Sequence, residues 1–366
     1  MRVAIDARKL RDGGIGTYIR EVVAAMLARS DAPELVALLD PKDLGRTGWP
    51  VGRVTEREAR AGKYGLAEHW IVPREARAAG AKLLHAPHYT LPWGWRGPSV
   101  VTVHDLIHLR FPHSFPPGAA LYARAVAGSA VKRSRIVLAD SEVTRRDVIE
   151  LLNAPAERVR TVPLGVSSTL RRPSNDTIEA FRKARGLPND FVLYVGARRR
   201  HKNLGLLLSA LARITPADRP PLVLSGNKWS AEDPLAIEAT RLGVAKTVAF
   251  SGDLAGEEQL AALYSAASLY AQPALYEGFG LPPLEAMACG TPVLSSTGGS
   301  LPEAVGDAAE TLPPSDPDAW AEAIGRLLRD VGRRAELAVR GLERAKAFTW
   351  EKTAWATLVA YRDVMR

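Results

Sequence analysis

The sequence predicts an α/β protein with two doubly wound parallel sheets, one in each half of the chain. Short apolar runs alternate with amphipathic helical patterns along the whole sequence, as in parallel sheets that helices cover on both faces. A polar stretch without a strand pattern of its own, residues 167–190, separates two such series. Because each series can build its own sheet, we place a domain boundary near residue 170.

The elements of the first half follow in order. Strands are predicted at residues 3–5, 35–39, 83–86, 99–103, 136–139 and 159–162. Helices are predicted at residues 17–29 and 144–152. Ser141 can cap the second of these helices, with Glu142 in its first turn.

The second half repeats the alternation. Strands are predicted at residues 191–195, 222–224, 247–250, 268–271 and 292–294. Helices are predicted at residues 204–212, 257–265, 319–328 and 350–364. Ligands of open parallel sheets bind beyond the carboxyl ends of the strands, so we expect the site in the cleft between the two domains.

Composition narrows the class of protein. The 366-residue chain is long enough for two domains, and its 46% hydrophobic and 24% charged residues are ordinary for a soluble globular protein. The single cysteine, Cys289, excludes an internal disulfide and is expected to be a small buried apolar residue. No apolar run approaches the roughly 20 residues of a membrane span, and residues 1–6 do not resemble a signal peptide. We therefore expect a cytoplasmic protein.

The chain is basic, with a formal net charge of +9. Such a charge predicts attraction to nucleic acid, to an anionic bilayer or to a phosphorylated substrate. Nucleic acid is not expected as a partner, because the basic surface lacks interleaved aromatic residues and any recognised binding motif. Arg110 and the basic cluster at residues 132–135 instead suggest peripheral contact with an anionic membrane; the alternative is an ordinary basic surface.

The most informative segment is residues 276–290. It predicts a tight loop followed by a short helix that ends at Gly290. Gly278 and Gly280 permit positive φ angles and close approach of a ligand to the backbone. The prolines at residues 282–283 suit a first helical turn, and Gly290 suits a left-handed cap at the end of the helix. A helix that starts after a glycine-rich loop presents N–H groups and partial positive charge to an anion such as phosphate.

Two carboxylates frame this loop and helix, Glu277 and Glu285. Carboxylates repel phosphate, so they are better suited to accept hydrogen bonds from hydroxyl groups. Phosphate donors and hydroxyl acceptors in one segment point to a sugar nucleotide. The alternative is an ordinary strand–loop–helix connection with one solvated and one capping glutamate.

Glycine and basic residues mark two further strand ends. Gly14 and Gly16 lie in a turn, residues 11–17, that could approach a diphosphate or be a flexible surface turn. The basic run at residues 198–202 follows a strand, and Lys202 is the residue in it that is best placed to bind a phosphate. The alternative is that these basic side chains are simply solvated at the surface. Leu254, beyond a later strand, is a candidate contact for the nucleotide base.

Histidines are concentrated between His85 and His113. Residues 99–103, just before His104, form a strand, so His104 and His108 do not share a helical face as metal ligands would. We expect no metal site. His104, at the carboxyl end of a strand, is expected either to face the ligand or to be a hydrogen-bonded structural histidine.

Taken together, these segments resemble the retaining, sugar-nucleotide-dependent glycosyltransferases of family four, which have the GT-B fold of two Rossmann-like domains. The strongest likeness is at residues 277–293, E-G-F-G-L-P-P-L-E-A-M-A-C-G-T-P-V. Further similar blocks lie at residues 13–16, 85–87, 103–105, 141–144, 162–166, 201–203 and 348–351. The resemblance implies an N-terminal acceptor-binding domain at residues 1–170, a C-terminal nucleotide-sugar-binding domain at 171–348, and a last helix at 349–366 that crosses back to the first domain.

The resemblance also implies roles for residues of the second domain. Glu277, with backbone N–H groups of Gly278, Phe279, Gly280 and Leu281, would hold hydroxyls of the donor sugar. Glu285 would bind the ribose.

The same resemblance assigns the diphosphate and the reacting sugar. Lys202, helped by an arginine of residues 198–200, Arg198 among them, would bind the diphosphate and stabilise the leaving group. Gly14 and Gly16 would line the diphosphate, and His104 would help position the sugar. The family often has arginine before the Lys-Asn pair, where this chain has His201, so the resemblance leaves open which arginine makes the second phosphate contact.

The resulting hypothesis is transfer of a hexose from a nucleoside diphosphate sugar to a saccharide or lipid-linked acceptor, with retention of configuration and without a metal or other cofactor. GDP-mannose is the favoured donor because residues 298–303 look most like mannosyltransferases, and UDP-glucose is second. The alternatives are a metal-dependent hydrolase that uses the histidines between His85 and His113, and a sugar-nucleotide epimerase. The sequence leaves the acceptor, the linkage and the oligomeric state open.

Overall fold

A computed structural model describes all residues from 1 to 366, and the chain divides into two compact units. The first unit contains Met1–Gly165 and Thr349–Arg366, and the second contains Val166–Phe348. No helix is long and apolar enough to cross a membrane.

All strands of the two sheets run parallel. In chain order the strands are β1 Arg2–Asp6, β2 Glu34–Leu39, β3 Val54–Glu58, β4 Leu83–Ala86, β5 Ser99–Val103, β6 Ile136–Ala139, β7 Val159–Thr161, β8 Val192–Tyr194, β9 Leu222–Leu224, β10 Val248–Phe250, β11 Leu269–Gln272, β12 Val293–Ser296 and β13 Glu310–Leu312. The helices are α1 Gly13–Leu27, α2 Glu68–Ala78, α3 Ile107–Arg110, α4 Ala119–Arg133, α5 Glu142–Leu152, α6 Asn175–Arg185, α7 Leu204–Arg213, α8 Pro234–Arg241, α9 Glu257–Ala266, α10 Leu281–Ala288, α11 Leu301–Val305, α12 Pro317–Arg329, α13 Val331–Ala345 and α14 Trp350–Met365.

Each unit is built on one doubly wound sheet. The seven-stranded sheet of the first unit has the order β3-β2-β1-β4-β5-β6-β7, and the six-stranded sheet of the second has the order β10-β9-β8-β11-β12-β13. The strand order reverses beside β1 in the first sheet and beside β8 in the second. Such a switch point leaves a crevice at the carboxyl ends of the strands, where ligands of this class of sheet bind. The predicted class of two doubly wound parallel sheets is confirmed.

Two strands and several helices were not predicted. Both missed strands, β3 and β13, are at sheet edges, where exposed polar side chains weaken the apolar pattern. The polar stretch at residues 167–190 contains α6, a mostly polar helix in which only Ile178 is buried. Helix α1 begins at Gly13, so the glycine-rich turn expected at residues 11–17 is largely the first turn of this helix. The expected Ser141 cap is confirmed, since its Oγ accepts from Thr144 N at 3.0 Å.

The last helix, α14, packs within the first unit. A Cβ on Gly165 would lie 2.2 Å from the backbone nitrogen of Trp350, so only glycine permits this close packing. Thr353 Oγ1 donates to the Pro163 carbonyl at 2.7 Å, one turn further along. Tyr361 joins the helix to the buried His85 through a 2.6 Å hydrogen bond.

Candidate functional site

The switch point of the second sheet brings together two segments that the sequence analysis singled out. β8 pairs with β9 on one side and with β11 on the other. The basic run follows β8, and the loop that contains Glu277 follows β11, so both leave the sheet at the same edge. Lys202 belongs to a 3₁₀ turn, Arg200–Lys202, just ahead of α7.

Lys202 and Glu277 form an ion pair at this edge. Lys202 Nζ donates to Glu277 Oε1 and Oε2, at 2.7 Å each. The lysine side chain is 20% exposed and the glutamate side chain 10%, so the pair is mostly shielded but open to a ligand. Gln272, at the end of β11, donates from Nε2 to Glu277 Oε1 at 2.6 Å. The carboxylate is therefore held by two donors that leave it little freedom to rotate.

Two hydrogen bonds, one from each neighbour of Lys202, hold its turn against the loop that contains Glu277. The carbonyl of His201 accepts from Leu275 N at 2.8 Å. The Asn203 amide donates to the Pro273 carbonyl at 3.0 Å, and Asn203 itself has a left-handed φ of 58°. Asparagine tolerates this conformation better than most residues. The lysine thus reaches the carboxylate because the backbone places it there.

The loop before α10 takes the expected conformation in part, because Gly280 has a positive φ and Gly278 does not. Gly280 has φ 101°, and the prolines at residues 282–283 occupy the first turn of α10. Gly290, with φ 74°, follows the helix as expected. Because prolines lack N–H groups, backbone donors for a ligand at this helix start can come only from the residues ahead of them, Gly278, Phe279, Gly280 and Leu281. The Phe279 ring is buried and packs against Phe348, so only its backbone is available.

A second loop fixes the backbone of Glu277. Ser300 donates to the Glu277 carbonyl from its backbone nitrogen at 3.0 Å and from its Oγ at 2.9 Å. A Cβ on Gly299 would lie 2.4 Å from the same carbonyl oxygen, and the φ of Gly299 is 60°. Glycine is required here because the two loops touch.

The second glutamate, Glu285, lies in α10 and is hydrogen-bonded within the second unit. Tyr264 OH donates to Glu285 Oε2 at 2.8 Å. Burial raises the pKa of Glu285 from 4.5 to about 7, although the Tyr264 bond opposes this shift. The carboxyl is therefore partly protonated at neutral pH. Cys289, at the end of the same helix, is fully buried as predicted.

The arginines of the basic run are exposed, and one has a structural partner. Arg198 Nη1 donates to the Asn227 carbonyl at 3.1 Å. The Asn227 amide in turn donates to both carboxylate oxygens of Asp253 at 2.9 Å each. Leu254 follows Asp253 and is half-buried. Arg198 and Leu254 therefore lie on loops joined at the carboxyl edge of the second sheet, whereas Lys202 is bonded to Glu277.

In the first unit, His104 is held by acceptors on both ring nitrogens. Nδ1 lies 2.7 Å from Asp140 Oδ2, and Nε2 lies 3.1 Å from the Pro87 carbonyl. Since neither a carbonyl nor an ionised carboxylate can donate, this geometry favours the doubly protonated ring. Burial alone lowers the pKa of His104, but the carboxylate of Asp140 outweighs it and the pKa is raised.

The other predicted residues of the first unit are placed by packing. His85 is buried between Tyr361 and Thr102, and burial lowers its pKa to about 3. A Cβ on Gly16 would lie 2.4 Å from the Leu10 carbonyl oxygen, which gives Gly16 a packing role, whereas Gly14 has open space around it. No group of three or more His, Cys, Asp or Glu residues is arranged to hold a metal ion.

Sequence reasoning missed three residues that position this site. Gln272 is 1% exposed at the end of a buried strand. A polar residue at the end of an apolar strand could have identified it as a site residue. Asn203 and Ser300 lie within blocks already noted for their resemblance, but their role in holding the loops depends on contacts distant in sequence.

One doubly wound parallel sheet in each of two units is the architecture expected of a GT-B glycosyltransferase. Residues 177–344 match the family model described as glycosyl transferases group 1, and residues 12–170 match that of glycosyltransferase family 4. The chain belongs to this family of glycosyltransferases. The family membership favours glycosyl transfer over the hydrolase and epimerase alternatives.

Relatives with curated functions are similar over most of the chain. The O-antigen chain mannosyltransferase B of Escherichia coli is 34% identical over an alignment of length 287 that covers 76% of this chain and 74% of that protein. The D-inositol 3-phosphate glycosyltransferase of Acidothermus cellulolyticus is 34% identical over an alignment of length 392 that covers 96% of this chain and 86% of that protein.

Solved structures share the fold. A sucrose-phosphate synthase from Thermosynechococcus elongatus has a TM-score of 0.80 and 24% identity, and the match covers 100% of this chain and 99% of that one. Anabaena HepE, in complex with UDP and glucose, has a TM-score of 0.78 and 22% identity, with 98% and 100% covered.

Proposed function

We propose that this protein is a retaining hexosyltransferase that moves a hexose from a nucleoside diphosphate sugar to an acceptor hydroxyl. The observation that carries the proposal is the Lys202–Glu277 ion pair at the switch point of the second sheet, with Nζ 2.7 Å from both carboxylate oxygens. An ammonium group and a carboxylate side by side match the two ends of such a donor. The cation suits the diphosphate, and the carboxylate accepts hydrogen bonds from sugar hydroxyls.

The chemical difficulty is charge on the leaving group. As the bond from the anomeric carbon to the diphosphate oxygen breaks, negative charge develops on the diphosphate. The Lys202 ammonium, already oriented by the backbone, stabilises this charge without reorganising at the moment of reaction. N–H groups of residues 278–281 and the start of α10 add to the same stabilisation. We assign the further phosphate contact within the second unit to one of the exposed arginines at residues 198–200.

Retention follows from attack on the same face of the sugar. The acceptor oxygen forms its bond to the anomeric carbon on the face that the diphosphate leaves, and its proton passes to the departing phosphate oxygen. Glu277 is bonded to Lys202 and Gln272 and is assigned to sugar hydroxyls, so it does not form a covalent intermediate. Glu285 in its ionised form accepts from the ribose.

Mannose is the favoured sugar and GDP-mannose the favoured donor, with UDP-glucose second. The similarity to a mannosyltransferase over 76% of the chain supports mannose. A thermal-shift screen tests the donor, because a ligand at 100 times its Kd adds about 2.7 kcal/mol to the stability of the native state. Stabilisation by UDP-glucose and not by GDP-mannose would make UDP-glucose the favoured donor.

Turnover tests the assigned roles. Release of nucleoside diphosphate should fall about 100-fold or more in Lys202→Ala and in Glu277→Ala, the size expected when a preorganised group for the transition state is lost. Lys183→Ala, which changes an exposed lysine on α6, is the matched control and should keep wild-type turnover. Near-normal rates in either site variant would refute its role. Turnover should persist in EDTA, because the charge stabilisation is assigned to Lys202 and backbone donors.

Contact with an anionic membrane remains part of the proposal for a lipid-linked acceptor. Arg110 donates to Asp147 at 2.9 Å, so this arginine is already engaged, whereas Lys132 and Arg135 are exposed. Sedimentation with vesicles of anionic lipid at low salt tests the contact. If the wild type and a variant with alanine at positions 132 and 135 sediment equally, Lys132 and Arg135 do not contribute to membrane contact.

A further inference from the structure

The chain enters the second unit at Val166 and leaves it at Phe348, and these two residues are hydrogen-bonded to each other. The backbone nitrogen of Val166 donates to the Phe348 carbonyl at 3.1 Å. The ring of Phe348 packs edge-on against the ring of Phe279, with the ring centres 5.7 Å apart and the planes at 73°. Phe279 is 7% exposed and lies two residues after Glu277. The last residue of the second unit therefore touches the loop that contains Glu277.

Arg344, in the last turn of α13, contacts both Phe348 and α11. Its guanidinium lies over the Phe348 ring, with Cζ 4.9 Å from the ring centre. Its Nε donates to the Ala304 carbonyl at 2.9 Å, and its Nη2 donates to the Glu303 carbonyl. These carbonyls belong to the end of α11, where a helix has no N–H groups of its own to offer them. One side chain thus supplies donors to a helix end and a cation to an aromatic face.

Helix α11 leads back to the loop that contains Glu277. It begins directly after Ser300, whose backbone nitrogen and Oγ both donate to the Glu277 carbonyl. The contacts therefore form a closed circuit that leaves the loop at Phe279 and returns to it at the Glu277 carbonyl. Arg344 is the residue in this circuit that joins the aromatic pair to α11.

The shape of the Arg344 side chain matters more than its charge. A guanidinium is planar, so it can stack on an aromatic ring while its fork of N–H groups reaches two carbonyls. A lysine at this position would keep the charge, but a single ammonium has no planar fork and cannot make the three contacts together. Arg344 is half-buried, so these contacts are partly shielded from water.

We propose that Arg344 is a positioning residue for the Lys202–Glu277 site. Lys202 and Gln272 hold the carboxylate of Glu277, and the circuit through Arg344 holds the backbone of its loop at two points. The loop and the backbone at the exit of the second unit are therefore coupled. The effect of Arg344 on turnover rests on the proposed function, whereas its effect on the loop does not.

Hydrogen–deuterium exchange, followed by mass spectrometry, measures the loop without any substrate. In Arg344→Ala the backbone amides of residues 276–281 should exchange about 5-fold or more faster than in the wild type, because local opening costs less free energy. Arg344→Lys should show a similar increase, and so should Phe348→Leu, which keeps the site testable if the arginine variants do not fold. Lys346→Ala is the matched control: this exposed lysine pairs with Glu343 and should leave the exchange unchanged. Strand β9 of the same unit should keep wild-type exchange in every variant.

Turnover tests the consequence for the reaction. Release of nucleoside diphosphate from GDP-mannose or UDP-glucose should fall about 10-fold in Arg344→Ala, because small displacements of a site lose much of its rate advantage. The fall should appear in kcat at saturating donor, well below the melting temperature of each variant. A variant that combines Arg344→Ala with Phe348→Leu should lose less than the product of the two single losses, because both act through one circuit. Lys346→Ala should keep wild-type turnover.

Unchanged exchange of residues 276–281 in Arg344→Ala, or an equal increase in β9, would overturn the positioning role. Wild-type exchange in Arg344→Lys would show that charge is sufficient and would overturn the requirement for a guanidinium. A loop that exchanges faster while turnover stays normal would refute the link between Arg344 and the reaction. If the wild-type protein releases nucleoside diphosphate from neither donor, the proposed function fails, and the exchange experiment still decides whether Arg344 holds the loop.

Discussion

The raised pKa of Glu285 predicts that this residue destabilises the protein at neutral and alkaline pH. Its folded-state pKa is about 7 against an ordinary value of 4.5, because burial disfavours the charged form. The unfolded state therefore releases the proton at lower pH than the folded state does, and stability falls as the pH rises from about 4.5 to 7. At 1.36 kcal/mol for each tenfold change in the proton affinity, the total loss is on the order of 3 kcal/mol.

Glu285→Gln removes this loss while it keeps an oxygen that can accept from Tyr264. The linkage relation puts the cost of ionising Glu285 on the order of 1 kcal/mol at pH 5 and 3 kcal/mol at pH 8.5. The glutamine variant should thus gain on the order of 2 kcal/mol of unfolding free energy relative to wild type between these two pH values. Urea unfolding of both proteins at pH 5, 6, 7 and 8.5 measures the difference.

The shape of the pH dependence is the decisive result. The difference between the two proteins should grow between pH 5 and 7 and then level off. Glu258→Gln, which changes an exposed glutamate on α9, is the matched control and should show no such growth. A difference for Glu285→Gln that stays constant within about 0.5 kcal/mol across the range would contradict the assigned burial of this carboxyl.

Three further substitutions test the packing and charge described above. Gly299→Ala places a Cβ 2.4 Å from the Glu277 carbonyl oxygen and should cost about 1–3 kcal/mol; an unchanged melting temperature would show that the loops can separate freely. Gly165→Ala places a Cβ 2.2 Å from the first residue of α14 and should make that helix sensitive to protease; full resistance would contradict the close packing. Asp140→Asn removes the carboxylate that raises the pKa of His104, so an NMR titration of the ring should give a lower pKa than wild type; an equal or higher pKa would assign the shift to another group.

Local chemistry was sufficient to predict the elements around the Lys202–Glu277 pair. The prolines at residues 282–283 and Gly290 mark the start and end of α10, because a proline favours a first helical turn and glycine tolerates positive φ. The buried strands were predicted because their apolar runs are nearly continuous. The glycine-rich turn was only partly correct, since residues 13–16 can also form the first turn of a helix.

What the sequence determined by itself was the class of fold, the family, and the chemical groups available at each strand end. Its short-range patterns decide where a strand, a cap or a turn forms, and these depend on neighbours in the chain. Only the tertiary structure decided which groups meet. Glu277 and Lys202 are 75 positions apart in sequence. They are in contact because the strand order of their sheet places two distant strands side by side, and the order of parallel strands depends on how the intervening helices pack across the sheet.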